Sequence, residues 1–323
     1  MNSRIKSIRR RTFQGLCLGF LAFTPGLAGA QQAGDPEAAV VQELIVTAPT
    51  GGPAWWSVTK GGSTVWILGM PADLPKGFSW DQRVLDRRLG QARAVLLPPV
   101  AHASLVDIFG IMAAQRKLKS RAPLELRAPP PLGARFVAAT AAMGRAPKDY
   151  DHWNGLMAGV MMSADFRRKA GLDPFSPLPT IRRAAEKRHV PASSVADYPF
   201  MPTLRAGVAE VTPEREWVCL QAAVDEIDKG SDAFTTAARG WATGDVRTAL
   251  TTPRGYEACF NSIPAGADIA RRAMSDETHA IEKALQTPGR VIALVSLRTL
   301  LAQGGVLAQL RADGYVIKGD EAS

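Results

Sequence analysis

Two segments of this 323-residue chain have the form of a buried strand running into a turn, where an α/β fold usually sets its chemistry. The first is Ser63-Thr64-Val65-Trp66-Ile67, followed by Leu68-Gly69-Met70-Pro71-Ala72-Asp73-Leu74-Pro75. The second is Arg290-Val291-Ile292-Ala293-Leu294, followed by Val295-Ser296-Leu297-Arg298-Thr299-Leu300. A metal centre at these turns would need imidazole, thiolate or carboxylate donors. Asp73 is the one side chain of that kind in either turn. The second turn suggests another chemistry, because Ser296, Arg298 and Thr299 make an anion-binding corner at the start of a helix. Ser296 also sits at a strand-to-turn junction that could expose a nucleophile. No Gly-x-Ser-x-Gly elbow surrounds it, however, and no serine or cysteine has a suggestive histidine nearby.

The densest group of ligand-type residues elsewhere is Asp149-Tyr150-Asp151-His152-Trp153. Asp149, Asp151 and His152 would hold a cation if a tight loop brought them together. The competing role for Asp151, and the favoured one, is to cap a helix over 153–168. His102, His189 and His279 each stand apart from carboxylates or cysteines at ligand spacing. The chain carries no phosphate-cradling glycine loop and no dinucleotide fingerprint.

These residues need a scaffold, and the pattern implies an α/β one with a mixed sheet and a helix-rich middle. Trp55–Val58 and Thr64–Leu68 read as a hairpin joined by Thr59-Lys60-Gly61-Gly62-Ser63. A helix follows over 80–91, with Ser79 as N-cap, and then a buried strand over 94–97 that Pro98-Pro99 stops. Helical spacing recurs over 105–117, 132–143, 156–168, 181–189, 214–227, 231–243 and 275–285. The Met157, Met161 and Met162 stripe reads as adaptable core packing. A strand over 291–295, a helix over 299–312 and a strand over 315–317 close the domain.

The opening and closing segments together resemble the TraB/GumN family, which includes the Tiki metalloproteases. The resemblance rests on Pro53-Ala54-Trp55-Trp56-Ser57-Val58, on Gly61 to Gly69, and on Leu74-Pro75-Lys76-Gly77-Phe78-Ser79-Trp80. It continues in Ala94-Val95-Leu96-Leu97-Pro98, Leu294 to Leu300, Gly305-Val306-Leu307 and Gly314-Tyr315-Val316-Ile317. It implies the family's α/β fold and a metal-dependent hydrolase or peptidase. The family's first histidine, its glutamate and its second histidine fall on Ala72, Pro98 and Thr299, while Gly69 and Ser296 occupy its glycine positions. A methyl group, a pyrrolidine ring and a lone hydroxyl do not make a metal site. The resemblance therefore implies a degenerate member without metal or cofactor, probing partners through the emptied cleft or an outer face. Its rival is a hydrolase with ligands recruited from Asp73, Asp149, Asp151 or His152.

The ends and the charge complete the reading. Arg4, Lys6, Arg9, Arg10 and Arg11 precede a short apolar run and Ala28-Gly29-Ala30, the form of a signal peptide over 1–30 with cleavage near Ala30. That places the product in the periplasm or outside the cell, without a stable membrane anchor. Removing those five basic residues from the 39 leaves 34 against 30 acidic, too even a balance to favour nucleic acid. Residues 31–52 read as a flexible leader and 53–319 as one domain. Within the leader, Glu43-Leu44-Ile45-Val46-Thr47-Ala48 resembles a TonB box, a peptide that adds as a strand to a TonB-type partner. Cys219 and Cys259 fit either one disulfide or two buried thiols.

Overall fold

The computed structural model describes residues 35–41, 51–102, 110, 116–174 and 176–319. The expected signal peptide over 1–30 and the Glu43–Ala48 segment lie outside them. Six strands build the main sheet: β1 (Trp55–Lys60), β2 (Ser63–Met70), β3 (Ala94–Leu97), β4 (Ala192–Ser194), β5 (Gly289–Ser296) and β6 (Ile317–Gly319). Their spatial order is β6-β1-β2-β5-β3-β4. The strands β2, β5, β3 and β4 pair in parallel, while β1 runs antiparallel to both β2 and β6. Sequence and structure agree on an α/β fold with a mixed sheet.

A central parallel strand is covered on both faces and so is apolar throughout. In β5, Val291, Ala293 and Val295 enter one core, and Ile292 and Leu294 enter the opposite one. The helices are α1 (Arg83–Leu89), α2 (Pro130–Ala142), α3 (Gly155–Lys169), α4 (Leu178–Lys187), α5 (Phe200–Ala209), α6 (Pro213–Ala242), α7 (Gly255–Ser262), α8 (Pro264–Leu285), α9 (Leu297–Leu301) and α10 (Val306–Ala312). Ile281 and Leu285 of α8 and Leu307 and Leu310 of α10 cover the first face. Leu85 and Leu89 of α1 and Ile181 and Ala185 of α4 cover the second.

The helical middle has its own core, in which Phe136, Met162, Phe166, Leu220, Val224 and Phe234 join α2, α3 and α6. Met162 thus packs as the methionine stripe suggests. The helices α3 and α6 touch closely at Gly159, where a Cβ would lie 2.4 Å from the Cys219 carbonyl oxygen. Cys219 and Cys259 form a disulfide between α6 and α7, with their Cα atoms 4.4 Å apart.

Several elements differ from the sequence reading. The helix expected over 80–91 is shorter; Asp81, rather than Ser79, accepts the Arg83 amide at 2.9 Å. The helices α5 and α7 and the first half of α8 are additional to those expected from the sequence. The segments over 214–227 and 231–243 are the two halves of α6, interrupted at Gly230 with φ 72°. The final helix divides into α9 and α10 around Gly304-Gly305. Part of the stretch read as a leader is docked: Val40 pairs with Ala302, and the Val41 amide donates to the Leu301 carbonyl at 2.9 Å.

Two outcomes follow from the packing of α3, α6 and α7. Gly159→Ala forces α3 away from backbone atoms of α6 and should cost about 1–3 kcal/mol in urea denaturation. Reducing the disulfide, which spans 40 residues, should cost about 3–4 kcal/mol, measured as a lowered denaturant midpoint.

Candidate functional site

The parallel register sets Met70 opposite Ser296, so the carboxyl ends of β2 and β5 lie side by side. The end of β2 is tied to α6, because the Trp241 indole N–H donates to the Gly69 carbonyl at 2.7 Å. Beyond these ends lies a cavity of about 300 Å³, whose walls include Ala72, Pro98, Ser296 and Arg298. Ala72 and Pro98 therefore meet in one place although their turns are separate in sequence. Thr299 is buried beside that cavity, and its hydroxyl donates to Glu37 Oε1 at 2.6 Å. Glu37, from the docked N-terminal segment, is itself part of the cavity wall.

The charged groups of this wall are two cations and two carboxylates: Arg254, Arg298, Glu37 and Glu257. Arg254 Nη1 lies 2.8 Å from Asp35 Oδ2, and its Nη2 lies 3.4 Å from Glu37 Oε2. Arg298 donates to the Leu250 carbonyl at 2.7 Å and to the Glu37 carbonyl at 3.4 Å. Burial, followed by repulsion from Arg254, holds the Arg298 guanidinium below its ordinary pKa. The anion-binding corner read at Arg298 and Thr299 thus receives the carboxylate and backbone of Glu37.

A second cavity, of about 700 Å³, shares Ala72, Pro174 and Glu257 with the first. On its wall Arg167 faces three acids: Glu226 at 2.8 Å, Asp73 at 3.5 Å and Glu257 at 3.6 Å. Burial pushes Asp73 upward and Glu226 up to about 7, in both cases against the pull of Arg167. Burial lowers Arg167, but attraction to Glu226, Glu257 and Asp73 outweighs it and leaves the guanidinium firmly charged. One cation thus faces three carboxyl groups, and burial favours the protonated form of Asp73 and Glu226.

The group Asp149, Asp151 and His152 does not converge. Asp149 accepts the Ala146 amide at 3.2 Å, Asp151 accepts the Leu124 amide at 3.0 Å, and His152 is exposed. The cap of α3 is Asn154, which accepts the Met157 amide at 3.0 Å; Asp151 closes the turn at Leu124–Arg127 instead. His102 pairs with exposed Asp197 at 2.6 Å, and His279 lies 3.7 Å from Glu282. Among the described residues, no three His, Cys, Asp or Glu side chains are placed to hold a metal ion.

Sequence reasoning missed Glu37, Arg167, Glu226, Arg254 and Glu257. Only Pro253-Arg254-Gly255, a turn ahead of a helix, offered a local signal. The Glu226 site gives a pH test. Folding raises its pKa from about 4.5 to about 7, so the folded state holds more protons between those values. That contribution to stability is complete below the unfolded value and is lost as pH rises through the folded one. In Glu226→Gln, denaturant midpoints at about pH 5 and about pH 8 should differ less than in the wild type.

No curated protein and no solved structure matches the chain. A sequence model described as the TraB/PrgY/gumN family matches residues 54–319, from the start of β1 to the end of β6. With its sheet and its helical middle inside that match, the chain belongs to the TraB/PrgY/gumN family.

Proposed function

We propose that this protein is a degenerate TraB/GumN member that works outside the cytoplasm and uses its cleft to bind rather than to cleave. The observation that carries the reading is the composition of the first cavity. The positions corresponding to the family's metal ligands are Ala72, Pro98 and Thr299, and the hydroxyl of Thr299 is committed to Glu37. The charged groups lining the same cavity are Arg254 and Arg298 with Glu37 and Glu257. A divalent cation does not fit: two of the three positions lack a donor, and the cavity's carboxylates, Glu37 and Glu257, are already paired with Arg254 and Arg167.

Asp73, the carboxylate nearest Ala72, does not repair the site. It points to Arg167, which already gathers Glu226 and Glu257. A guanidinium is fixed and permanently charged, so it neutralises acids without the open coordination position that metal catalysis requires. The disulfide supports an oxidising compartment, in line with the signal-peptide form of residues 1–30. No described helix is long and apolar enough to cross a membrane.

The test is elemental analysis of protein purified without an affinity tag. Manganese, cobalt and zinc should each fall well below one equivalent per chain. Stoichiometric metal, removed together with a hydrolytic activity by chelation, would overturn the proposal in favour of a rewired hydrolase.

A further inference from the structure

We infer that the wall formed by Arg254, Asn261, Arg298 and Thr299 is a receptor for an extended acidic peptide, and that Asp35–Val41 occupies it as a ligand in cis. This rests on the binding reading above and names the ligand class for the same cavity.

The donors of this wall converge on the two carboxylates of the segment. Asn261 is 3% exposed, and its side-chain amide donates to Asp35 Oδ1 at 2.9 Å and to Glu37 Oε2 at 3.4 Å. Arg254 bridges the same two carboxylates, and Thr299 takes the other oxygen of Glu37. With the segment in place, the buried amide of Asn261 and the buried hydroxyl of Thr299 both have carboxylate acceptors, and neither is left unpaired. Burial alone would raise the Asp35 pKa, but Arg254, the Glu37 amide and Asn261 hold it below the ordinary carboxylate range. The wall stabilises a charged acid, not a protonated one.

The backbone explains why the ligand is a peptide and not a free anion. The Val41 amide donates to the Leu301 carbonyl, and the Gln303 amide donates to the Ala39 carbonyl, each at 2.9 Å. Val40 and Val41 pack against the sheet core. Recognition thus combines an Asp-x-Glu pair with main-chain bonding and an apolar pair three residues on, the combination that gives strand-addition sites their affinity and selectivity.

Two features mark the segment as replaceable. It lies before residue 54, outside the part of the chain that matches the family. It also leaves donors underused: Arg254 Nε is buried without a hydrogen-bond partner among the described residues, and Arg298 meets only backbone carbonyls. A peptide in trans that supplies one more acceptor would satisfy the wall better. Tethering gives the cis segment an effective concentration on the order of millimolar, so it excludes weak competitors.

The test uses the full chain carrying Asp35→Asn and Glu37→Gln, with EDTA present so that metal plays no part. The probe is a fluorescent peptide of the sequence Asp-Pro-Glu-Ala-Ala-Val-Val, followed by anisotropy. The variant should bind it about tenfold or more tightly than the wild type, because the cis competitor has lost its charge. A peptide with Asn and Gln in place of its acids should not bind, and adding Arg254→Gln should abolish binding. The inference is overturned if the folded variant binds neither peptide, binds both equally, or binds no better than the wild type. Stoichiometric metal in the same preparation would overturn the proposed function alone, whereas failed peptide binding in metal-free protein would overturn this inference alone.

Discussion

The parallel ladder between β2 and β5 is the constraint on which the rest of the molecule depends. Its register runs unbroken from Ser63 opposite Gly289 to Met70 opposite Ser296. The two strands come from opposite ends of the domain, and between them the chain returns to the sheet as β3 and β4. Their buried residues feed both cores, and neither face of the sheet survives without them. The same register aligns the two carboxyl ends, and the cavity forms there because the turns at Pro71 and Leu297 diverge from a common edge.

What fills that edge decides the chemistry. Two charge clusters meet around the paired cavities, and in each a buried guanidinium organises carboxylates. Arg167 gathers Asp73, Glu226 and Glu257, and Arg254 gathers Asp35 and Glu37. Buried ion pairs add little net stability, because desolvation offsets their attraction; removing one member is far more damaging than having neither. Their physical effect is to fix geometry and sign. Arg254, Asn261, Arg298 and Thr299 present donors suited to an acid, whereas Arg167 is surrounded by acids whose burial favours protonation.

The fold was legible where the pattern is local. The hairpin of β1 and β2, the buried β5 and the strand β3 stopped at Pro98 all follow from apolar runs with turn residues beside them. The ordered motifs at both ends carried the family, because each is a strand-and-turn unit whose residues touch one another. The helices α5 and α7 were hidden, because they are short and carry residues that disfavour a helix, Pro202 and Gly207 in the first and Gly255 in the second. The site was legible only in part. Ala72 and Pro98 pointed to the cavity, but nothing near Glu37 reveals that it meets Arg254 across more than two hundred residues.

The same limit explains the displaced cap: the sequence suggests that Asp151 caps a helix over 153–168, whereas it accepts the Leu124 amide instead. Short acidic clusters look like ligands in sequence, yet a backbone amide at a helix start is the commoner partner and lies closer. Asp151 and Asn154 divide that work between two neighbouring starts, at Leu124 and at α3. A carboxylate becomes a recognition element only when burial removes water and a cation remains to replace it. That condition holds at Asp35 and Glu37, which sit in a stretch whose composition resembles a linker. Composition describes how a segment interacts with solvent; the wall it meets decides whether it stays there.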